Sequence, residues 1–176
     1  MIQLQRITQT QGSSYEYIER LIIESFPAEE YRELDELRDY TRTKSIFYNN
    51  LIIDRQNPVG MVSYWTFDRF YYIEHFAIDP KQRNEGYGKQ AISHLKDIFD
   101  RPIVLEVEPP TLEISKRRIG FYKRQGFTLW DTPYQQPPYR LDGDFLPMQL
   151  MVSGMLSCEK DYPGVKTCLY NNVYGI

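Results

Sequence analysis

Hydrophobic and polar residues follow two periodicities along this chain, the alternation of a strand and the three-to-four-residue spacing of a helix. These periodicities predict an ordered series of strands and helices. Residues 2–8 alternate between apolar and polar side chains, which is typical of a half-buried strand. Apolar residues then recur every three or four positions from Tyr15 to Phe26, and this spacing predicts an amphipathic helix. The same spacing predicts a second, shorter helix from Glu30 to Thr41.

The middle of the chain changes to segments rich in β-branched and aromatic residues, which favour strands. Three such strands are predicted, at Ser45–Arg55, Val59–Phe67 and Tyr71–Ile78. Turn-forming residues at 56–58 and 68–69 separate them, so we expect an antiparallel meander with short connections.

Helices and strands alternate in the second half. The predicted elements are a helix from about Gly86 to Phe99, a strand at Ile103–Val107, a helix at Leu112–Gln125 ended by Gly126, and strands at Phe127–Trp130 and Phe145–Val152. The strand at 71–78, the helix and the strand at 103–107 make one crossover, which should be parallel and right-handed. Residues 131–144 are predicted to be a loop, and residues 153–176 have no clear pattern and are expected to pack loosely.

This order of elements predicts an α+β fold, in which helices flank a mixed, mostly antiparallel central sheet. The chain has 176 residues, which is the length of one domain. We therefore expect a single domain over residues 1–176, with a core at about 2–152 and a C-terminal extension at 153–176.

Composition and charge exclude several classes of protein. The net charge is -3, so the basic surplus of a nucleic-acid-binding protein is missing. No apolar run approaches the ~20 residues that span a bilayer, and the first residues lack the apolar core of a secretory signal. We expect a cytoplasmic protein with no membrane or nucleic-acid partner. Cys158 and Cys168 are too few for a disulfide scaffold, and with only two histidines, His75 and His94, we expect no metal site.

A glycine-containing loop at the start of the third helix carries the first chemical signal. Arg83, Gly86 and Gly88 lie where the chain turns from the strand at 71–78 into the helix. Glycine lets the backbone approach a ligand closely, and the first N–H groups of a helix carry partial positive charge. Together they predict a cradle for a phosphate or diphosphate, to which the arginine can add charged hydrogen bonds.

The two glycines also match the dinucleotide fingerprint, with Ala91 in its third position and Glu106 and Glu108 about 20 residues further on. In that fold the first glycine follows its strand almost directly, whereas here residues 79–85 intervene. A dinucleotide fold also needs several βαβ units, and this chain has room for one. Binding of a dinucleotide is therefore kept only as an alternative.

A second motif decides between these interpretations. The helix at 112–125 ends in Phe121-Tyr122-Lys123-Arg124-Gln125-Gly126-Phe127, and the earlier loop reads IDPKQRNEGYG from Ile78 to Gly88. With both motifs in this order, the chain resembles the GNAT superfamily of acyl-CoA-dependent N-acyltransferases, whose motifs look like V-x-P-x-x-R-G-x-G-x-G and aromatic/Leu-Tyr-x-x-x-Gly-Phe. The resemblance covers the element order from about residue 2 to residue 152.

The resemblance implies acetyl-CoA as the acyl donor and a GNAT-like sheet in which the fourth and fifth strands, β4 at 71–78 and β5 at 103–107, splay apart. In relatives the pantetheine arm lies in that gap like an added strand. The residues that match the coenzyme-binding positions are Phe76, Ala77, Ile78, Arg83, Asn84, Glu85, Gly86, Tyr87, Gly88 and Lys89. Many relatives carry an asparagine where this chain has Ser115, so we expect a weaker contact there.

Catalysis of acyl transfer needs two proton movements, and the resemblance assigns one of them. Tyr122 matches the family tyrosine that protonates the departing thiolate as general acid. For the general base we predict Glu74, because its apolar neighbours would desolvate it and raise its pKa. Glu106 and Glu108 are the alternates, His75 is expected to be structural, and an amine of low pKa would need no base.

The acceptor is expected to be a primary amine of a small molecule or peptide, attacking directly in a ternary complex. Acidic and aromatic residues within 24–31 and 134–144 would favour a cationic amine such as a polyamine. A longer acyl-CoA remains open as the donor, and a homodimer is compatible with such a domain. The alternative function from another class is an acyl-CoA-binding regulatory module without turnover.

Overall fold

Eight strands and five α-helices occur over residues 1–176, all of which are described by a computed structural model. The chain divides into two compact units, Met1–Arg101 and Pro102–Ile176, which are described in turn. The single domain over residues 1–176 stays a prediction. None of the helices combines the length and the hydrophobicity needed to cross a membrane.

The first unit contains the meander and three helices. Its elements are β1 (Ile2–Ile7), α1 (Ser13–Ser25), α2 (Leu34–Thr43), β2 (Phe47–Asp54), β3 (Asn57–Thr66), β4 (Tyr71–Ile78) and α3 (Tyr87–Ile98). Its strands lie in the order β1-β2-β3-β4, with each neighbouring pair antiparallel. The predicted meander is confirmed.

The turn between β2 and β3 is shorter than predicted. Arg55 and Gln56 have φ of 47° and 74°, so both adopt the left-handed conformation of a two-residue hairpin. Asn57 already pairs with Asp54 and begins β3, whereas the sequence pattern placed it in the turn.

Two helices of the first unit bury one apolar face against its sheet. In α1 the residues Ile18, Leu21 and Ile22 are fully buried, and α1 packs on β3 and β4. In α3 a similar stripe is fully buried, consisting of Ala91, Ile92 and Leu95. Burying a large aliphatic side chain contributes about 1.5–3 kcal/mol, so these faces hold the helices on the sheet.

The second helix begins later than predicted. A single 3-10 turn, Ala28–Glu30, is followed by extended backbone, and α2 starts only at Leu34. Arg32 lies between the two elements with 2% of its surface exposed and pairs with a buried carboxylate of β4. The predicted start at Glu30 is wrong.

The second unit is built around one long strand. Its elements are β5 (Ile103–Val107), α4 (Glu113–Arg124), β6 (Thr128–Leu129), β7 (Tyr134–Gln136), β8 (Leu146–Ser153) and α5 (Cys158–Leu169). β8 pairs antiparallel with β5, β6 and β7. Gly126 follows α4 with φ of 86°, the left-handed conformation expected of a helix-ending glycine. The predicted α+β class with a mostly antiparallel sheet is confirmed.

Two expectations for the second unit are wrong. The predicted loop at 131–144 contains β7, and the C-terminal segment is not loosely packed. It forms α5 and continues into a π-helical turn, Tyr170–Tyr174. Val165, Leu169 and Val173 are buried at spacings of four residues, which is the pattern of a helix that packs on a core.

Candidate active site

The N-terminus of α3 has the geometry of an anion-binding cradle. Gly86 is the N-cap residue, with φ of 78° and ψ of 6°, and no side chain caps the helix. The first intrahelical bond runs from the N–H of Gln90 to the carbonyl of Gly86, at 3.1 Å. The N–H groups of Tyr87, Gly88 and Lys89 precede that bond and point towards the helix end, where an anion is stabilised.

A buried aspartate anchors the loop before this cradle. Asp79 accepts hydrogen bonds from the backbone N–H of Lys81 at 3.0 Å and from Arg20 Nη2 at 2.8 Å, and its own N–H donates to the carbonyl of Val59 at 2.9 Å. Burial raises the pKa of Asp79, but the hydrogen bonds from Arg20, Lys81 and Tyr17 and the charge of Arg20 together outweigh burial and lower the pKa. The aspartate stays ionised and fixes the direction in which the loop leaves β4.

The loop itself is exposed and held in a specific conformation. Asn84 has φ of 68°, so it adopts the left-handed conformation, as Gly86 does two residues later. Arg83 donates from Nε to the carbonyl of Ile78 at 3.3 Å. Glu85 and Lys89 are exposed to solvent, and Tyr87 donates to Asp54 at 3.5 Å.

The end of β4 carries the remaining predicted coenzyme-binding residues of the first unit. Phe76, Ala77 and Ile78 pair with β3. At Gly60 of β3, a Cβ atom would lie 2.4 Å from the carbonyl oxygen of Ala77, so only glycine permits this approach of the two strands. The structure thus brings the predicted residues from 76 to 89 onto one strand, one loop and one helix start of the first unit.

Glu74 lies at an irregularity in β4. Ser63 pairs with His75 and Tyr64 with Ile73, so Glu74 is the extra residue of a β-bulge. Bulges redirect a side chain relative to the regular alternation of a strand.

The carboxylate of Glu74 is fully buried in an ion pair. It accepts hydrogen bonds from Arg32 Nη2 and, at 2.7 Å, from Trp65 Nε1. The guanidinium lies over the ring of Tyr40, at 4.4 Å from its centre. Burial raises the pKa of Glu74, but the charges of Arg32 and His75 and the hydrogen bonds from Trp65 and Arg32 together outweigh burial and lower the pKa. The prediction of a raised pKa is wrong, because the sequence did not reveal the arginine.

The local contacts of His75 are those of a structural residue. It is 3% exposed, with Nδ1 3.3 Å from Ser63 Oγ and Nε2 2.9 Å from the carbonyl of Glu30, and Phe26 contacts its ring edge-on. Burial lowers its pKa below the usual value. The imidazole is therefore neutral near pH 7 and holds the 3-10 turn against β4.

Tyr122 lies on α4 in the second unit with its ring buried among aromatic neighbours. The ring centres of Phe121 and Phe127 are 5.2 Å and 5.5 Å away. Burial raises the pKa of Tyr122 to about 12, although the charge of Arg118 opposes the shift. A phenol with this pKa keeps its proton at neutral pH, which a general acid requires.

Ser115 lies two turns before Tyr122 on α4 and is buried. Its hydroxyl donates to Glu108 Oε2 at 2.9 Å. Serine and asparagine can both donate a hydrogen bond, but this serine uses its hydroxyl within the protein.

Glu106 is the one predicted carboxylate that the structure surrounds with tyrosine hydroxyls. Tyr134 donates to its Oε1 at 2.6 Å, and Tyr174 lies 2.9 Å from both of its oxygens. Sequence reasoning missed the tyrosines of the C-terminal segment. The spacing of Val165, Leu169 and Val173 was the signal that could have placed them on a helix.

Comparisons with known proteins agree on one family. The model of the acetyltransferase (GNAT) family matches residues 7–127. A solved structure of a GNAT-family protein from Bacteroides thetaiotaomicron is 53% identical and has a TM-score of 0.96, covering 99% of each chain.

More distant solved structures share the fold. Arabidopsis thaliana NAA60 with a bisubstrate analogue has a TM-score of 0.63 at 16% identity, covering 87% of this chain and 98% of its own. An acetyltransferase from Elizabethkingia anophelis with acetyl-CoA bound has a TM-score of 0.54 at 18% identity, covering 88% and 98%. No protein of curated function matches this sequence.

Proposed function

This chain belongs to the GNAT family of acetyltransferases, and from this premise we propose that it transfers an acetyl group from acetyl-CoA to a primary amine. The observation that carries the proposal is the uncapped start of α3, where Gly86 is left-handed and three successive N–H groups precede the first helical bond. A diphosphate is the anion that such a cradle suits. Coenzyme A carries a diphosphate between its adenosine and its pantetheine arm.

The proposed reaction forms one C–N bond and breaks one C–S bond. The neutral amine attacks the thioester carbonyl carbon, and the coenzyme leaves as a thiolate. Tyr122 gives its proton to that sulfur, and solvent returns a proton to the phenolate. The nitrogen loses its extra proton, so the products are an N-acetyl amide and coenzyme A in its thiol form.

An amine that arrives protonated must first lose a proton, and the predicted base for this step was Glu74. Its carboxylate has 0% side-chain exposure and is paired with Arg32, so both access and basicity are reduced. Glu106 and Glu108 are partly exposed. Of the three carboxylates, we propose Glu106 as the first proton acceptor, and we assign Glu74 to holding Arg32 beside β4.

Calorimetric titration of acetyl-CoA, with NADH as the competing ligand, tests the cradle. We expect acetyl-CoA to bind and NADH not to bind. Gly86→Glu should weaken acetyl-CoA binding by more than about 10-fold, because it places a carboxylate among the N–H groups. Gly12→Glu is the matched control, since Gly12 also has a positive φ, of 96°, and lies at the start of α1.

Turnover separates an enzyme from a binding module. Release of free thiol from acetyl-CoA in the presence of primary amines should occur in the unmodified protein. Binding of acetyl-CoA without thiol release on any amine would favour the regulatory module. Binding of NADH instead would overturn the proposal and restore the dinucleotide alternative.

A further inference from the structure

We propose that Arg20 of α1 is a positioning residue for the cradle loop, residues 79–86 between β4 and α3, and that it acts through the carboxylate of Asp79. The inference rests on the proposed function, because the affinity that Arg20 is expected to set is that of the cradle for acetyl-CoA. Arg20 lies 59 residues before Asp79 in the sequence, so the motif of the loop does not include it.

Both oxygens of the Asp79 carboxylate are bound, each by a different part of the chain. Oδ1 accepts a hydrogen bond from the backbone N–H of Lys81 at 3.0 Å, and Oδ2 accepts one from Arg20 Nη2 at 2.8 Å. Because a carboxylate is planar, holding Oδ2 against the arginine also fixes the direction in which Oδ1 points. Asp79 is the N-cap residue of the 3-10 turn Pro80–Gln82, so this direction decides how the cradle loop begins.

The main chain of Asp79 is held as well as its side chain. Its N–H donates to the carbonyl of Val59 at 2.9 Å, and its carbonyl accepts from the N–H of Gln82 at 2.8 Å. The side chain is 7% exposed, so without Arg20 a mostly buried carboxylate would lack the cation that faces it. Such a carboxylate is stabilised by turning towards solvent, and that rotation would release the N–H of Lys81.

The guanidinium of Arg20 is held in place by its own helix. Its central carbon lies 5.0 Å from the centre of the Tyr17 ring, one turn earlier on α1. The hydroxyl of Tyr17 donates to the carbonyl of Pro58 at 3.3 Å, and Arg20 Nη1 is bound separately by Glu24 at 2.8 Å. The position of the guanidinium is thus set by α1 and β3, and not by the loop that it holds.

A loosened start of the cradle loop would weaken the cradle at its end. The loop ends at Gly86, the N-cap residue of α3, and Arg83 bonds back to the carbonyl of Ile78 at 3.3 Å. If the start can shift, the loop occupies the binding-competent conformation for a smaller fraction of the time. Apparent affinity falls in proportion to that fraction, so binding weakens although no contact to the coenzyme is removed.

Calorimetric titration of acetyl-CoA into Arg20→Met and Arg38→Met tests the assignment. Arg20→Met should raise the Kd about 3- to 10-fold, which is the effect of losing a charged hydrogen bond, reduced for the partial exposure of the arginine. Arg38 is the matched control, because its side chain is 38% exposed against 40% for Arg20 and it also pairs with a carboxylate of α1, Glu19. Arg38→Met should bind as the parent protein does. Parent affinity in Arg20→Met would overturn the proposal.

A double-mutant cycle shows whether Arg20 acts through Asp79. Asp79→Asn removes the charge but keeps an oxygen that can accept the N–H of Lys81. If the arginine works by fixing the carboxylate, Arg20→Met should weaken acetyl-CoA binding much less in the Asp79→Asn background than in the parent background. Equal fold-changes in the two backgrounds would overturn the proposal.

Kinetics and hydrogen exchange separate positioning from a general loss of stability. In Arg20→Met the KM for acetyl-CoA should rise while kcat at saturating acetyl-CoA is unchanged, whereas partial unfolding would lower kcat with the KM unchanged. Without coenzyme, the N–H of Lys81 should exchange faster in Arg20→Met and not in Arg38→Met. Faster exchange in Arg20→Met, with no acetyl-CoA binding to the parent protein, would overturn the proposed function and leave the anchor intact. Unchanged exchange and unchanged affinity would overturn the anchor and leave the transferase intact.

Discussion

Replacing Arg32 by methionine should destabilise the first unit strongly. Methionine approximates the volume of arginine but leaves Glu74 buried without its main counter-charge. The two side chains are 2% and 0% exposed, so solvent cannot replace the lost partner. Removing one partner of a buried ion pair typically costs about 3–5 kcal/mol. For a chain of this length, each kcal/mol lowers Tm by about 2–4 °C, so a fall of about 6–20 °C is expected.

Neutralising the carboxylate should restore much of this loss. In the double variant Arg32→Met/Glu74→Gln, the amide oxygen of residue 74 can still accept the bond from Trp65 Nε1, which is 2.7 Å from the carboxylate in the parent protein. The remaining deficit should be about 1–2 kcal/mol, the value of one or two net hydrogen bonds. Urea unfolding at pH 7 measures the single and double variants against the parent protein.

The pH dependence of the same variants gives an independent check. The ordinary pKa of Glu74 is 4.5, and the folded protein lowers it. The ion pair therefore stabilises the fold above about pH 4.5, and this contribution is lost as the pH falls through the lowered pKa. In Arg32→Met burial dominates and raises the pKa of Glu74. The difference in the free energy of unfolding between variant and parent should therefore narrow as the pH falls. A double variant as unstable as the single one, with a gap independent of pH, would refute the reasoning.

Three further outcomes are expected. Tyr122→Phe should lower kcat about 100- to 10,000-fold, in line with the usual contribution of a general acid, while calorimetry gives an unchanged acetyl-CoA affinity; an unchanged kcat would remove Tyr122 from the mechanism. Gly154→Ala should lower the free energy of unfolding in urea by about 1–3 kcal/mol, because φ there is 113° and the new Cβ would lie 3.0 Å from Pro102. Gly175→Ala is the control and should lower it less, because φ there is 75° and the space around it is open. Burial lowers the pKa of His75 below 6.5, so the unfolded chain takes up its proton first and stability falls below about pH 6.5; His75→Gln should flatten that part of the pH profile, and an unchanged profile would contradict the assignment.

Local sequence patterns predicted most of the fold because a strand or a helix is determined largely by residues that are close in sequence. The strand predicted at Tyr71–Ile78 from its β-branched and aromatic residues matches the observed bounds of β4, and β5 was likewise predicted at Ile103–Val107. The cradle followed from Gly86 and its place between a strand and a helix. These features depend on backbone conformation and on the period of one element, which a single segment of sequence contains.

What the sequence could not supply were pairings between distant residues. Arg32 is 42 residues from Glu74, and no periodicity links them, yet their contact helps to lower the pKa of Glu74, which the sequence predicted to be raised. Tyr174 is 68 residues from Glu106, and its segment contains Pro163 and Gly164, which obscured the helical spacing. Long-range electrostatic partners are decided by tertiary packing, which local pattern does not encode.

The left-handed backbone at Asn84 and Gly86 restricts which residues can replace them during evolution. Side chains with a Cβ are strained in that conformation, and asparagine tolerates it better than most. Selection against that strain would act on every descendant that keeps the loop, whether or not the descendant still turns over a substrate. Persistence of Gly86 would then record the inherited shape of the loop. Persistence of Tyr122, whose hydroxyl no backbone strain requires, would be the better record of retained chemistry.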